Sequence, residues 1–298
     1  MSNYTKDIHI PVLLEEVLEN SNLNPGKVVI DGTIGGGSHS FHFLERILPG
    51  GFLLGLDKDT QAAELADEKL SSTFEKSSFS IINDKFENFN KYLNFLPNGK
   101  FDLFFLDLGL STMQIKESNR GFSFMKDEKL DMRMDTRGKL TASDWLNNAS
   151  EEEMEEVFRK YAEEPKSRRL AKMISSRRRE RAFESTVDFA DLVKKIYPYG
   201  RRHPATRIFQ AIRIVVNEEI ESLELTLRQA AEHINSLGRI IVISFHSGED
   251  RIVKWAFRNL EKEGMGRVIS KRPIIALEDE VKKNPSARSA KMRIWEAK

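Results

Sequence analysis

Short apolar runs alternate with helix-spaced apolar positions through the first third of the chain. Pro11 to Leu18 carries helical spacing, Val28 to Ile30 reads as a buried strand, His39 to Ile47 as a helix and Phe52 to Leu56 as a strand. Thr60 to Leu70 follows as a helix, Phe79 to Asn83 as a strand, and Phe101 to Leu106 as a strand so apolar that it must be central. Strands that alternate with helices in this way predict an α/β fold built on a parallel, doubly wound sheet.

The rhythm stops after Asp107. From about Gly109 to Pro204 no run reads as a strand, and Ser150-Glu151-Glu152-Glu153 is a capping box that opens a helix reaching about Tyr161. A long amphipathic pattern follows through Ile208, Ile212, Val215, Val216, Ile220, Leu223, Leu227, Ala230, Ala231 and Ile234, with no Pro or Gly in it, and is expected to return the chain to the sheet. Gly238 to Phe245 is another buried strand, Asp250 to Glu261 a helix, and Arg267 to Ser270 with Lys291 to Glu296 a closing strand pair. The expected organisation is a discontinuous sheet domain, 1–110 and 208–298, interrupted by a helical domain over 111–207.

Composition narrows the chemistry. At 298 residues and 40% hydrophobic content an ordinary globular core is available. The net charge is +1 although 31% of residues are charged, so any basic surface must be local. The absence of cysteine removes disulfides, thiolate zinc sites and cysteine nucleophiles together. Met1 to Asp7 lacks the apolar core of a signal peptide and no run approaches membrane-spanning length, so a cytoplasmic protein without a membrane partner is expected.

The densest chemical signal is Val28-Val29-Ile30-Asp31-Gly32-Thr33-Ile34-Gly35-Gly36-Gly37-Ser38-His39, a strand that runs through an acid into a glycine-rich turn. Such a turn lets a ligand approach the backbone closely. Asp57 ends the next strand, 26 residues after Asp31, about the spacing at which an acid reaches a ribose diol. The glycines at 32, 35, 36 and 37 do not spell the dinucleotide fingerprint and fit an adenosylmethionine site better. Phe86 could lay its ring on an adenine, with Phe89 as its competitor, or both could be core residues. Asp107 ends the central strand and is the leading active-site carboxylate, with Gln114 a few residues on. His246 follows the later strand and is a candidate for substrate contact or proton relay; the alternative is a structural His at a helix start.

Basic residues gather at Lys166 to Arg181, at Arg201-Arg202-His203-Pro204-Ala205-Thr206-Arg207, and at Lys282 to Arg293. Clusters of this kind suit a phosphate backbone, although solvated helix faces balanced by Glu151 to Glu156 would look the same.

These segments together resemble the bacterial 16S ribosomal RNA cytosine-N4 methyltransferases, the MraW family. The matching motifs run from His9-Ile10-Pro11-Val12-Leu13-Leu14 through Asp31 to Gly37, Asp107-Leu108-Gly109, Arg120-Gly121-Phe122-Ser123-Phe124, Leu130 to Asp135 and Thr141 to Asn147. They continue through His203 to Arg207 and Ile243 to Ser247 to Asn284-Pro285-Ser286-Ala287-Arg288-Ser289-Ala290-Lys291. The resemblance implies a class I, Rossmann-like adenosylmethionine-dependent methyltransferase with an inserted helical substrate-recognition domain. It also implies methylation of the N4 amine of a cytidine in the decoding region of 16S rRNA. Cofactor contacts carried over residue by residue fall on Gly37, Ser38, His39, Asp57, Phe86, Asp107 and Gln114. Asp107 and His246 are the catalytic candidates, and Arg120, Arg201, Arg202, His203, Arg207, Arg288 and Lys291 the RNA-binding ones. Ser38 stands where the family usually has glycine.

The missing cysteines independently weigh against methylation at carbon 5, which ordinarily uses a thiolate, and a sulfonium needs no metal to give up its methyl. The partner implied is 16S rRNA or the small ribosomal subunit, with a homodimer left open. Two other classes stay in view: a non-catalytic RNA-binding assembly factor and, with less support from the glycine spacing, a nicotinamide-dependent oxidoreductase.

Overall fold

The computed structural model describes residues 11–109, 119–196 and 203–298. Strands β1 (Val28–Asp31), β2 (Phe52–Leu56), β3 (Phe79–Ile82), β4 (Phe101–Asp107), β5 (Ile234–Ser244), β6 (Gly266–Val268) and β7 (Lys291–Ala297) form one sheet. Their order is β3-β2-β1-β4-β5-β7-β6. The pairs from β3 across to β5 are parallel, and β7 runs antiparallel between β5 and β6.

Helices cover both faces, which is why the inner strands carry unbroken apolar runs, Val28 to Ile30, Leu103 to Leu106 and Ile240 to Ile243, rather than alternating ones. Along β4, Phe104 and Leu106 enter one core, with Leu223, Leu227 and Ala230 of α9 (Glu221–His233) and Val253, Phe257 and Leu260 of α10 (Ser247–Lys262). Leu103 and Phe105 point the other way, against Val17 of α1 (Leu14–Asn20), Phe43, Leu44 and Ile47 of α2 (Ser38–Ile47) and Ala66 and Leu70 of α3 (Thr60–Ser71). Two-residue periodicity thus sends neighbours on one strand into two separate cores. The chain winds outward from β1 through β2 to β3, then crosses back to place β4 on the other side of β1. The switch point of the sheet therefore lies between β1 and β4.

The chain divides into two compact units, 1–109 with 220–298, and 110–219. The second contains α4 (Ala142–Asn148), α5 (Glu151–Tyr161), α6 (Ser167–Arg178), α7 (Thr186–Lys194) and α8 (Ala205–Val216) around its own core of Trp145, Phe158, Phe183, Phe189 and Phe209. Hydroxyl caps set several starts: Thr141, Ser150 and Ser185 each accept an N–H from the residue three positions on. At Ser150 the box is half made, because the Glu153 carboxylate accepts from Trp145 Nε1 at 2.7 Å instead of folding back.

The amphipathic pattern from 208 to 234 divides differently from the expectation. It is two helices, α8 and α9, and α8 belongs to the inserted unit because Ile208, Phe209, Ala211 and Ile212 pack into that unit's core. The break falls where Glu218 adopts a left-handed φ of 51° and the Asn217 side chain bonds Met132 O and Met134 N. The boundary expected at 207 accordingly stands at 219. Among the described residues, no helix is long and apolar enough to cross a membrane.

Phe158 is fully buried in the helical core. Its replacement by Ala should cost about 3–5 kcal/mol, read as a lower denaturant midpoint for the inserted unit.

Candidate active site

The carboxyl ends of β1, β2, β4 and β5 bring the acids together. Asp31 closes β1 and is 1% exposed; it accepts hydrogen bonds from Ser40 Oγ at 2.6 Å and Thr33 N at 3.2 Å. Burial outweighs those bonds and pushes its pKa up to about 7. The next residue must be glycine for want of space: a Cβ on Gly32 would sit 2.6 Å from Leu106 Cδ2 and 2.9 Å from Phe86 Cβ. Gly37 caps α2 at φ 76°, with Ala66 Cα 3.3 Å from where a Cβ would stand. Ser38, in the place of the family's usual glycine, opens α2 and accepts from Lys69 Nζ at 3.0 Å.

Asp57, at the end of β2, holds the glycine turn. Its Oδ2 accepts from Gly35 N at 2.9 Å and its Oδ1 from Asp59 N at 2.8 Å. Burial again dominates and raises its pKa to about 6. Phe86 and Phe89 separate cleanly. Phe89 is fully buried against Phe104 and Phe101, whereas Phe86 is only partly buried and stands beside Gly32.

Asp107 ends β4. Its N–H donates to Thr33 Oγ1 at 2.6 Å, which joins the end of β4 to the glycine turn. The side chain is 20% exposed, yet Oδ1 is buried with no hydrogen-bond partner. Burial, followed by repulsion from Asp31 and Glu249, pushes its pKa up to about 8. His39 is buried beneath it, Nε2 3.1 Å from Val12 O, Nδ1 3.9 Å from Asp107 Oδ2 and the ring 4.7 Å from that of Phe105.

His246 lies at the same edge as the N-cap of α10. Its Nδ1 accepts from Glu249 N at 3.2 Å, and Glu249 Oε2 accepts from Phe245 N at 2.9 Å. His246 Nε2 is 2.9 Å from Glu249 Oε1 but out of line for a hydrogen bond. The cap thus occupies Nδ1, and holds Phe245 with its ring 3.2 Å from the position a Cβ on Gly109 would take. The tail reaches this edge too: Lys291 pairs in register with Ser244, its Nζ is 3.7 Å from Asp250 Oδ2, and Arg288 is exposed just before it.

The inserted unit treats its basic residues unequally. Arg120, expected to touch RNA, is 9% exposed and donates to Met134 O at 2.9 Å and Arg133 O at 3.2 Å, so it braces a loop. Arg177 pairs with Asp188, and Arg178 donates to Leu146 O and Ala149 O at the end of α4. Arg168, Arg169, Arg179, Arg181 and Arg207 are exposed. His203 stacks on Phe124 with ring centroids 4.5 Å apart, and its Nδ1 accepts from Ala205 N. Gln114, Arg201 and Arg202 lie outside the described residues.

A family model described as the MraW methylase family matches residues 6–298. The chain belongs to the MraW methylase family. It is 41% identical over 292 residues to the ribosomal RNA small subunit methyltransferase H of Dictyoglomus thermophilum, covering 98% of this chain and 97% of that one. It is 39% identical to the protein of that name from Fusobacterium nucleatum, with 99% of each covered, and 38% identical to that from Clostridioides difficile, with 97% and 98% covered.

In this MraW methylase two residues of the edge escaped the sequence reading. Thr33 was visible only as part of the glycine turn, and its bond to Asp107 N joins segments 74 positions apart. Glu249 was more accessible, since an acid three residues after a polar N-cap is a capping signal.

A carboxyl group whose pKa is raised on folding binds more protons in the native than in the unfolded chain between the two values, so stability falls as pH rises through that window. For Asp107 the window runs from the ordinary 3.8 to about 8. Thermal melts from pH 5 to 9 should show a decline for the wild type that Asp107→Asn makes shallower.

Proposed function

We propose that this chain transfers the methyl group of S-adenosyl-L-methionine to the exocyclic N4 amine of one cytidine in the decoding region of 16S rRNA, in the cytoplasm. The observation that carries the reading is the buried, unpartnered Oδ1 of Asp107 at the switch point of a doubly wound sheet. Full-length identity near 40% to proteins named for small-subunit rRNA methylation supports the substrate class.

The residues suit adenosylmethionine. The backbone is open at Gly36, where a Cβ would meet nothing within 4 Å, and the crowding at Gly32 sets Phe86 against the same turn. Gly37, Ser38 and His39 would hold the methionine end, Asp57 the ribose and Phe86 the adenine. Bound there, the cofactor supplies a methyl group already activated on a sulfonium.

The protein supplies orientation and a place for the proton. A cytosine amine is a poor nucleophile because its lone pair is delocalised into the ring, so it must be held in line and its N–H groups accepted as charge develops. Asp107 Oδ1 accepts one N–H, with the carbonyl of Leu108 or Gly109 available for the second. Burial raises the Asp107 pKa to about 8, so its ionised form is a stronger base than an ordinary carboxylate, and it is that form that takes the proton. His246 acts by holding the start of α10, and through Glu249 the Phe245 segment, in place. We assign RNA contact to Arg207, Arg288 and Lys291, and bracing to Arg120.

Asp107→Ala should lower kcat for labelled-methyl transfer to small-subunit RNA at least about 100-fold while the circular-dichroism spectrum is kept; near-normal transfer would sink the assignment. Asp57→Ala should weaken adenosylmethionine binding about tenfold by calorimetry. His246→Ala should cost about 1 kcal/mol of stability as a lost cap, with a smaller activity defect than Asp107→Ala. Mass spectrometry of small-subunit RNA from cells with and without the protein should find one N4-methylated cytidine that depends on it.

A further inference from the structure

The outer face of α10 carries a feature that the site does not use. Burial assigns one side of the helix to the core through Val253, Ala256, Phe257 and Leu260. The opposite side, at the i, i+4, i+7, i+11 spacing of one helical stripe, presents Arg251, Trp255, Arg258 and Lys262, all exposed, with Lys254 alongside. Trp255 is 48% exposed, so about half of a large apolar ring faces solvent among these cations. Lys254 Nζ lies 5.7 Å and Arg258 Cζ 5.4 Å from its centroid.

The cations of the stripe are uncompensated. Among the described residues none of Arg251, Lys254, Arg258 or Lys262 forms an ion pair. The acids nearest in sequence are turned aside: Glu261 Oε1 accepts from Val268 N at 2.9 Å, Glu263 pairs with Arg228 and Asp250 pairs with Arg293. A merely solvated face would be expected to pair its cations with the acids beside them. A two-fold contact with a second copy would set this single-signed face against itself, at a cost in repulsion. A chain of phosphates bearing flat bases matches both components, because every base has a π-face and every phosphate needs a cation.

We propose that the outer face of α10 is a binding track for single-stranded RNA, with a base stacked on Trp255 and phosphates on Arg251, Lys254, Arg258 and Lys262. The helix begins at His246, at the same sheet edge as Asp107, so Arg251 lies about 7 Å along the axis from that edge and Lys262 about 24 Å. RNA flanking the target nucleotide would follow the track away from the site. The identity of that RNA rests on the rRNA methylation reading; the binding does not.

Trp145 and Trp295 are buried, so an RNA-dependent change in tryptophan fluorescence reports on Trp255. A single-stranded RNA of about 12 nucleotides should quench the wild-type signal. Trp255→Ala should bind that RNA about tenfold more weakly, and raise KM for small-subunit RNA with kcat kept. Trp255→Phe should retain most of the affinity and lose the quench. Replacing Arg251 and Arg258 together by Gln should reduce the slope of log affinity against log salt by about 1.4. Unchanged affinity and KM in Trp255→Ala would overturn the proposal. So would a wild-type dimer, seen by sedimentation, that Trp255→Ala dissociates with RNA affinity intact. A wild-type protein that binds the oligonucleotide with quenching but methylates no ribosomal RNA would uphold the track and defeat the methylation reading.

Discussion

The reversal of strand order between β1 and β4 is the constraint on which the site depends. From β1 the chain turns toward β2, and β4 lies on the other flank of β1, so the segments leaving β1 and β4 diverge and open a crevice at the carboxyl edge. What keeps that crevice in shape is a small set of bonds between distant segments: Asp107 N to Thr33 Oγ1, Gly35 N to Asp57 Oδ2, and Gly32 N to Phe105 O at 2.9 Å. Each ties the glycine turn to a neighbouring strand. The turn is therefore part of the sheet edge rather than a loop hanging from it.

Three acids share this edge, and their pKa values rank by the hydrogen bonds each receives. Asp57 accepts two backbone N–H groups and rises to about 6; Asp31 accepts a short hydroxyl bond and a longer N–H and rises to about 7. Asp107, whose Oδ1 receives nothing and which feels both Asp31 and Glu249, rises to about 8. Burial is the leading cause in all three, and the bonds only moderate it. The carboxyl group the fold supports least is thus the one best suited to receive a substrate's hydrogen bond and proton.

Much of this was legible in the sequence because it rests on local pattern. The strands 28–31, 52–56 and 101–107 carry unbroken apolar runs since helices cover both faces, and the acids at 31 and 107 end their strands while that at 57 directly follows its own. The division of the 208–234 pattern was not legible, since α8 and α9 bury equally apolar faces in two different cores and periodicity does not say which core receives them. Arg120 and Arg178 posed the opposite problem. An arginine that satisfies buried carbonyls has the same letter as one that waits for a phosphate, and only the fold separates them.

A net charge of +1 says little about how this protein meets a polyanion, because the sum does not say which charges are buried or paired. Asp31, Asp57, Glu249 and Glu296 are drawn inward or into bonds, and Glu296 serves Arg239 and Arg267 at once. An acid buried without a cation, as Asp31 is, withdraws negative charge from the exterior, whereas Glu296 takes Arg239 and Arg267 with it, so the exterior is set residue by residue and not by the formal sum. The raised pKa values act in the same direction as the burial of Asp31. At neutral pH Asp107 is largely protonated and Asp31 about half so, and an edge that would repel phosphates as a row of carboxylates carries much less negative charge. The burial that makes the ionised form of Asp107 a strong base also keeps most molecules neutral there until the pH approaches that value, and only the ionised fraction takes the proton.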